Sequence, residues 1–268
     1  MQCRSLGFTT DTSILERGGS RVERRADYWT ISSPHIPTFY WGNFILLDEL
    51  PANDSPHFWI NAFQDEFPHA LHVAIGVDDP RASIELGHSF ATMGFDVFGS
   101  AVLTCRPADL TTIPDSPYVT RPLVSDADWL AVREVGVATR GPGFAEEPYR
   151  RFLDDKTTTQ RRLCEEGHGA WWGTFVDDQL ASCAGIFRTD GATARYQTVG
   201  TLPQFQRRGL ARATVTAAGR WAAEIFATET LVIVADPDYY AIDLYRQVGF
   251  EVTESQLGLQ RRPTTDQE

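Results

Sequence analysis

The sequence predicts an α/β protein built in two halves, and three observations predict it. Residues 197–218, QTVGTLPQFQRRGLARATVTAA, pass from an extended pattern into apolar residues at Ala211, Val215, Ala218, Ala222 and Ile225, the spacing of four and three that makes a helix face. The order strand, Asp-Pro, helix, Gly-Phe-acid-Val occurs twice, once within residues 69–105 and again from residue 231 onward. Two short strand-helix-strand units can also match by chance. The 268 residues suffice for one large domain or two small ones, each with a buried core, and two is the preferred reading.

Taken in order, residues 1–26 show little apolar periodicity and read as a loose arm. Strands are expected at residues 27–32 and 39–48, separated by Pro34 and Pro37. Ser55-Pro56 is a cap and first-turn pair for a helix whose face would be Phe58, Ile60, Ala62, Phe63 and Phe67. A strand over 69–80, a helix over 82–93 and a strand ending at Cys105 complete the first half. Pro107, Pro114 and Pro117 among small polar residues mark a linker. A strand (118–124), a helix begun by Ser125, a glycine-rich loop (140–144), a helix (146–166) and strands at 170–176 and 179–187 follow. Asp177-Asp178 and Asp190-Gly191 supply the hairpin turns. The divisions are therefore an arm 1–26, an N-terminal domain 27–106, a linker 107–117, a second domain 118–263 and a tail 264–268.

The net charge is −12, of which residues 1–116 carry −8 and residues 117–268 carry −4. That balance argues against nucleic acid as a partner, and the positive charge that exists gathers at Arg207, Arg208 and Arg212. Lys156 is the only lysine, which by itself points to no chemistry. Cys3, Cys105, Cys164 and Cys183 form no C-x-x-C pair, so neither a disulfide framework nor a zinc site is indicated. His69 and His72 suggest a metal pair, but on a strand an i, i+3 pair points to opposite faces, and no metal is expected. No apolar run reaches the length of a signal sequence or a membrane span, so a soluble, cytoplasmic protein is expected.

The strand-to-helix turn carries the chemistry. The first amides of a helix lack intrahelical partners and lie at the positive end of its dipole, a ready anion site. Gly209 admits a ligand close to the backbone, and Ala211 is the next smallest choice. The turn is a pyrophosphate cradle, yet neither G-x-G-x-x-G nor G-x-x-x-x-G-K-[ST] is present.

Gln206-x-x-Gly209-x-Ala211 resembles the Q/R-x-x-G-x-G/A acyl-CoA signature of the GNAT superfamily of N-acetyltransferases, and Ala241-Ile-Asp-Leu-Tyr-Arg-Gln-Val-Gly-Phe250 is similar to that family's A-x-x-L-Y-x-x-x-G-F helix. The resemblance covers residues 118–263. It implies a GNAT-like fold, a mixed central sheet flanked by helices. The internal repeat extends that to a tandem protein with a degenerate N-terminal half, since nothing in residues 39–67 matches the signature.

The activity implied is transfer of an acetyl group from acetyl-CoA to a primary amine of a small molecule or peptide, with no metal. The resemblance places the pantetheine arm on Thr198, Val199, Gly200 and Thr201, and the diphosphate on Gln206, Arg207, Arg208, Gly209, Leu210 and Ala211. Asp238 stands where the family commonly has a cofactor-holding Asn, and a carboxylate cannot donate as Asn does. Tyr245 is the implied general acid, or else a core aromatic. The family's strand carboxylate is replaced by Tyr196, Gln197 and Thr198. Glu165, Glu166, Asp177 or Asp190 could act through water, and each also fits a solvated surface role. Trp171 and Trp172 are expected to split between the core and an acceptor cleft, which Trp41 could also face. No nucleic acid and no membrane are expected as partners, and a homodimer is an option. A non-catalytic acyl-CoA-binding module is the alternative function.

Overall fold

The computed structural model describes residues 3–51, 55–111 and 117–263. The chain divides into two compact units, one made of Met1–Val102, Val234–Tyr239 and Val252–Glu268, the other of Leu103–Ile233 and Tyr240–Glu251.

In the first unit the arm expected over residues 1–26 is instead ordered as helix α1 (Leu6–Arg17) and strand β1 (Arg21–Arg24). The helix escapes a periodicity search because Thr10, Thr12 and Ser13 share its buried face with Phe8 and Ile14. The hydroxyls of Thr10 and Thr12 donate back to the carbonyls of Leu6 and Phe8 at 2.8 Å. Distant carboxylates take up the amides at its start. Asp78 accepts from the N–H groups of Arg4 and Ser5, and Glu254 from that of Leu6, all at 2.8 Å. Orphan amides at the positive end of a helix favour such partners.

Strand β2 (Tyr28–Ser32) pairs antiparallel with β1 and with β3 (Phe44–Leu47). The strand expected over 39–48 is shortened by a helical turn at Tyr40–Gly42. Helix α2 (Pro56–Glu66) then leads to β4 (Val73–Val77), which runs parallel to β3. The buried face of α2 is Trp59, Ile60 and Phe63, whereas Phe58 is 59% exposed. His69 and His72 precede β4 rather than lying on it. His72 is buried, stacked 4.4 Å from the Tyr40 ring and 3.0 Å from the Asn43 carbonyl, and burial lowers its pKa. Among the described residues no cluster of three or more metal-ligating side chains forms. The helix expected over 82–93 is two short pieces, a turn at Ile84–Gly87 and α3 (His88–Ala91), before β5 (Asp96–Cys105).

The second unit contains β6 (Val119–Leu123), α4 (Asp126–Ala138), α5 (Glu146–Glu165), β7 (Gly169–Val176), β8 (Gln179–Arg188), β9 (Thr193–Thr201), α6 (Leu210–Phe226), β10 (Thr230–Ala235) and α7 (Ala241–Val248). Strands β6 to β9 form an antiparallel meander, and α6 crosses over so that β10 runs parallel to β9. The last strand, β11 (Glu251–Arg261), pairs antiparallel with β4, so from Val252 onward the chain belongs to the first unit. Strand order is β1-β2-β3-β4-β11-β5 in the first unit and β10-β9-β8-β7-β6 in the second.

Residues expected to be linker are part of the second unit. Leu110 is buried, and Thr111 donates from its amide and hydroxyl to the carbonyls of Val248 and Gln247 at 3.0 and 2.7 Å, capping α7. Gly249 ends that helix at φ +115°, where an added Cβ would lie 2.6 Å from the Asp109 carbonyl oxygen, so only glycine fits. Residues 112–116 of the linker and the tail 264–268 lie outside the described residues.

The repeated pattern has a structural counterpart. In each half a strand, a helix and a parallel strand (β3-α2-β4 and β9-α6-β10) are followed by a helical segment, a glycine with positive φ (Gly94, Gly249) and another strand.

Helix α4 opens with a capping box of Ser125 and Asp128. Asp128 is buried and accepts a two-pronged bond from Arg121, at 2.7 and 3.1 Å, and bonds from the amides of Val124 and Ser125 at 3.0 Å. The guanidinium holds this carboxyl well below the usual range. A depressed folded pKa contributes stability above the unfolded value, near 4, and that contribution is lost as pH falls below it. Asp128→Asn is expected to cost about 2 kcal/mol at pH 7 and to flatten the loss of stability between about pH 5 and pH 3, as urea unfolding at each pH would show.

Candidate functional site

The site grows out of the end of β9. In the pairing with β8, Cys183 faces Gly200 and Gly185 faces Gln197, so Thr198 and Val199 together oppose Ala184. This is a β-bulge, and Thr198 sits in it exposed at φ +49°. A β-branched residue in that region is strained by about 1–3 kcal/mol, which is characteristic of a site where geometry serves function. The register of β9 with β10 covers only Thr193 to Arg195, so residues 196–201 lie beyond it. Tyr196 itself is fully committed to the interior, its hydroxyl donating to the Val215 carbonyl at 2.6 Å, and burial raises its pKa well above the ordinary phenol value.

A turn at Pro203–Phe205 and residues 206–209 carry the chain into α6. Arg207 has φ +62° and Gly209 has φ +79°. Gln206 donates weakly from its amide to the Thr201 carbonyl at 3.5 Å, and the Arg208 guanidinium lies 5.3 Å from the Phe205 ring centroid. Leu210 is buried against Val176 and Ala181, which anchors the helix start to the sheet. Of the helix face expected from the sequence, Val215, Ala218 and Ala222 are buried, Ala211 is half-buried, and Ile225 is exposed.

The first turn of α6 is capped by glycine with no side-chain acceptor, where Ser5 caps α1 and Ser125 caps α4, and unlike that of α4 it holds no acidic residue. The Ala213 N–H bonds to the Gly209 carbonyl at 3.0 Å, and the amides just before it have no acceptor within the helix. A Cβ on Gly209 would meet nothing within 4 Å, and the Nε of Arg212 is buried with no hydrogen-bond partner among the described residues. These residues fit a diphosphate: open approach to the backbone, amides without intrahelical acceptors and an unpartnered Arg212 Nε.

Beside the bulge a narrow slot runs between the sheet and helices α4 and α5. Gly136 and Thr139 of α4, Lys156 and Gln160 of α5, Trp171 of β7 and Thr198 of β9 help to line it. Trp171, expected either in the core or at a cleft, does both: it is 2% exposed, packs 6.1 Å from Trp129 and lines the slot. Trp172 is half-buried. The slot was not read from the sequence, although polar Thr157 and Gln160 interrupting the buried face of α5 beside Leu153 and Leu163 are a signal for it.

Tyr245 lies on the buried face of α7 with Ile242 and Val248, 5% exposed and 6.4 Å from the Phe250 ring. Asp238 falls in the first unit, exposed, with its N–H bonded to Asp236 at 2.9 Å. Trp41 packs within the first unit on Phe44 and Phe98 and donates to Gln260 at 2.9 Å. Glu165 and Glu166 are held in exposed ion pairs with Arg161 and Arg162, and Asp177 and Asp190 are exposed in hairpin turns. No carboxylate lines the slot among the described residues. All four cysteines are free, and burial pushes the thiols of Cys3, Cys164 and Cys183 up to about 12 and that of Cys105 to about 11, so none is a ready nucleophile. No helix among the described residues is long and apolar enough to cross a membrane.

Residues 129–250 match the model of the Acetyltransferase (GNAT) family. Among solved structures, a conserved protein of unknown function from Staphylococcus epidermidis ATCC 12228 aligns with a TM-score of 0.70 at 15% identity, covering 90% of this chain and 93% of that one. A GCN5-related N-acetyltransferase from Kribbella flavida aligns at 0.62 and 16% identity, covering 96% of each chain. A tandem GNAT protein from the clavulanic acid biosynthesis pathway aligns at 0.53 and 13% identity, covering 94% of this chain and 88% of that one. At these identities the likeness is one of fold. No curated protein matches the chain by sequence.

Proposed function

The chain carries a GNAT-family acetyltransferase domain over residues 129–250, and from that premise we propose that it moves an acetyl group from acetyl-CoA to a primary amine. The observation that carries this reading is the start of α6, a glycine-capped turn with no acid of its own and a buried, unpartnered Arg212 Nε beside it.

In this reading the amides of residues 209–212, with Arg207, Arg208 and Arg212, hold the diphosphate, while Gln206 steadies the turn. The backbone of residues 198–201 pairs with the pantetheine arm, and the bulge turns its amides toward the thioester carbonyl. Bound acetyl-CoA supplies the activated acyl group. Binding energy collected at the cradle, remote from the reacting carbon, fixes the approach of the amine. Tyr245 donates a proton to the departing sulfur, and the proton released by the acylated nitrogen restores the phenol through solvent. With no carboxylate lining the slot among the described residues, this reading takes an acceptor amine that arrives neutral and needs no strong base.

That same lack favours a second reading, an acyl-CoA-binding module without turnover. Coenzyme A release measured against a panel of amines, amino acids, polyamines and aminoglycosides separates the two. Turnover above hydrolysis with at least one acceptor is expected. Binding of acetyl-CoA with background release for every amine would leave the module reading.

A further inference from the structure

Two hydroxyls hold the end of β9. Beyond the bulge its ladder with β8 resumes at Cys183 opposite Gly200 and continues with Ser182 opposite Thr201. Ser182 is fully buried, and its Oγ donates to the Gly200 carbonyl at 3.0 Å. Thr201, half-buried, donates from its hydroxyl to that same Oγ at 2.9 Å. A carbonyl only accepts, so the one Ser182 proton is committed to Gly200 and the Thr201 hydroxyl is the donor of the pair.

The consequence lies in the peptide between Gly200 and Thr201. Leu202 N–H donates to the Ala181 carbonyl at 2.9 Å. Bonded pairs alternate along an antiparallel ladder, so Gly200 and Leu202 address β8, and Thr201 opposite Ser182 is a non-bonded pair. The N–H and carbonyl of Thr201 are therefore turned away from β8, toward the edge along which pairing with β10 ends at Arg195. In a planar trans peptide the carbonyl and the next N–H point in opposite directions, so a hydroxyl that fixes the Gly200 carbonyl also aims the Thr201 N–H. A strand leaving a bulge lacks the regular ladder bonds that would otherwise set this plane. Helix α4 closes over the same glycine, where a Cβ would lie 3.2 Å from Val135 Cγ1 and 3.5 Å from Thr139 Oγ1.

We propose that Ser182 is a positioning residue: through the Gly200 carbonyl it aims the Thr201 N–H at an amide carbonyl of the pantetheine arm, and the Thr201 hydroxyl steers the Ser182 proton. The inference rests on the reading that residues 198–201 pair with that arm, and it names the side chain that sets their direction. The cradle at residues 206–212 lies outside this relay, so recognition of the diphosphate is independent of it.

Calorimetry with the full-length protein tests this with two probes, coenzyme A and adenosine 5′-diphosphate, which carries a diphosphate but no pantetheine and is measured by its displacement of coenzyme A. Ser182→Ala is expected to weaken coenzyme A binding about fivefold, the scale of one misdirected neutral hydrogen bond, and to leave adenosine 5′-diphosphate unchanged. Ser182→Cys fills the same space with a poor donor and should lose as much. Thr201→Val, at a half-buried position, should cost about twofold for coenzyme A and Thr201→Ser nothing, with unfolding curves showing each variant folded. Coenzyme A affinity unchanged in Ser182→Ala and Thr201→Val, full recovery in Ser182→Cys, or an equal loss for both probes overturns the role of Ser182 and leaves the cofactor reading intact. A wild-type protein that binds no coenzyme A overturns both, so the two failures are told apart.

Discussion

Replacing Gly209 with tryptophan is expected to abolish binding of coenzyme A while the protein stays folded. The backbone there has φ +79°, so any side chain costs about 1–2 kcal/mol of strain. That is a fraction of ordinary domain stability. Added atoms would not collide with the protein, because a Cβ at this position meets nothing within 4 Å. They would fill the space in front of the first amides of α6 instead. A loss of about a hundredfold or more in affinity, read by calorimetry beside an unchanged unfolding transition, is the expected result. Retained affinity would mean the amides of α6 are not what the cofactor touches.

Tyr245→Phe is expected to lower kcat by about a hundredfold, the scale of a lost general acid. Affinity for acetyl-CoA should be unchanged, since the ring and its contact with Phe250 remain. Loss of the buried hydroxyl should cost about 1 kcal/mol of stability. An unchanged kcat with that same loss would assign the phenol to packing alone, in keeping with its 5% exposure.

The parts of the molecule legible in the sequence are those fixed by local geometry. The strand, turn and helix at residues 193–226 follow from Pro203, Gly209 and the helix period. Ser125 announced its helix because a capping box is a contact between near neighbours. Helix α1 was not legible, because Asp78 and Glu254 fix its start across 73 and 248 residues of chain, and hydroxyls stand where apolar side chains would mark its face. The destination of β11 was hidden for the same reason, since only its pairing with β4 shows where it belongs.

The cradle was readable and the slot was not. A phosphate-binding turn is made by consecutive residues, whereas the slot takes single side chains from α4, α5, β7 and β9. The bulge at Thr198 likewise carries no mark in a strand of ordinary composition, because it depends on the opposing register of Cys183 and Gly185. In the first half the corresponding passage from β3 to α2 starts with Asp48 and Glu49, which pair with Arg24 and Arg4. Acids there oppose an anionic ligand, which agrees with a degenerate first copy.

A crystal soaked with coenzyme A tests the central claim most directly. Density for the diphosphate against the amides of residues 209–212, with Arg212 Nε now bonded, is the result expected. Density elsewhere on the molecule, or none at a concentration that saturates the protein in solution, would contradict it.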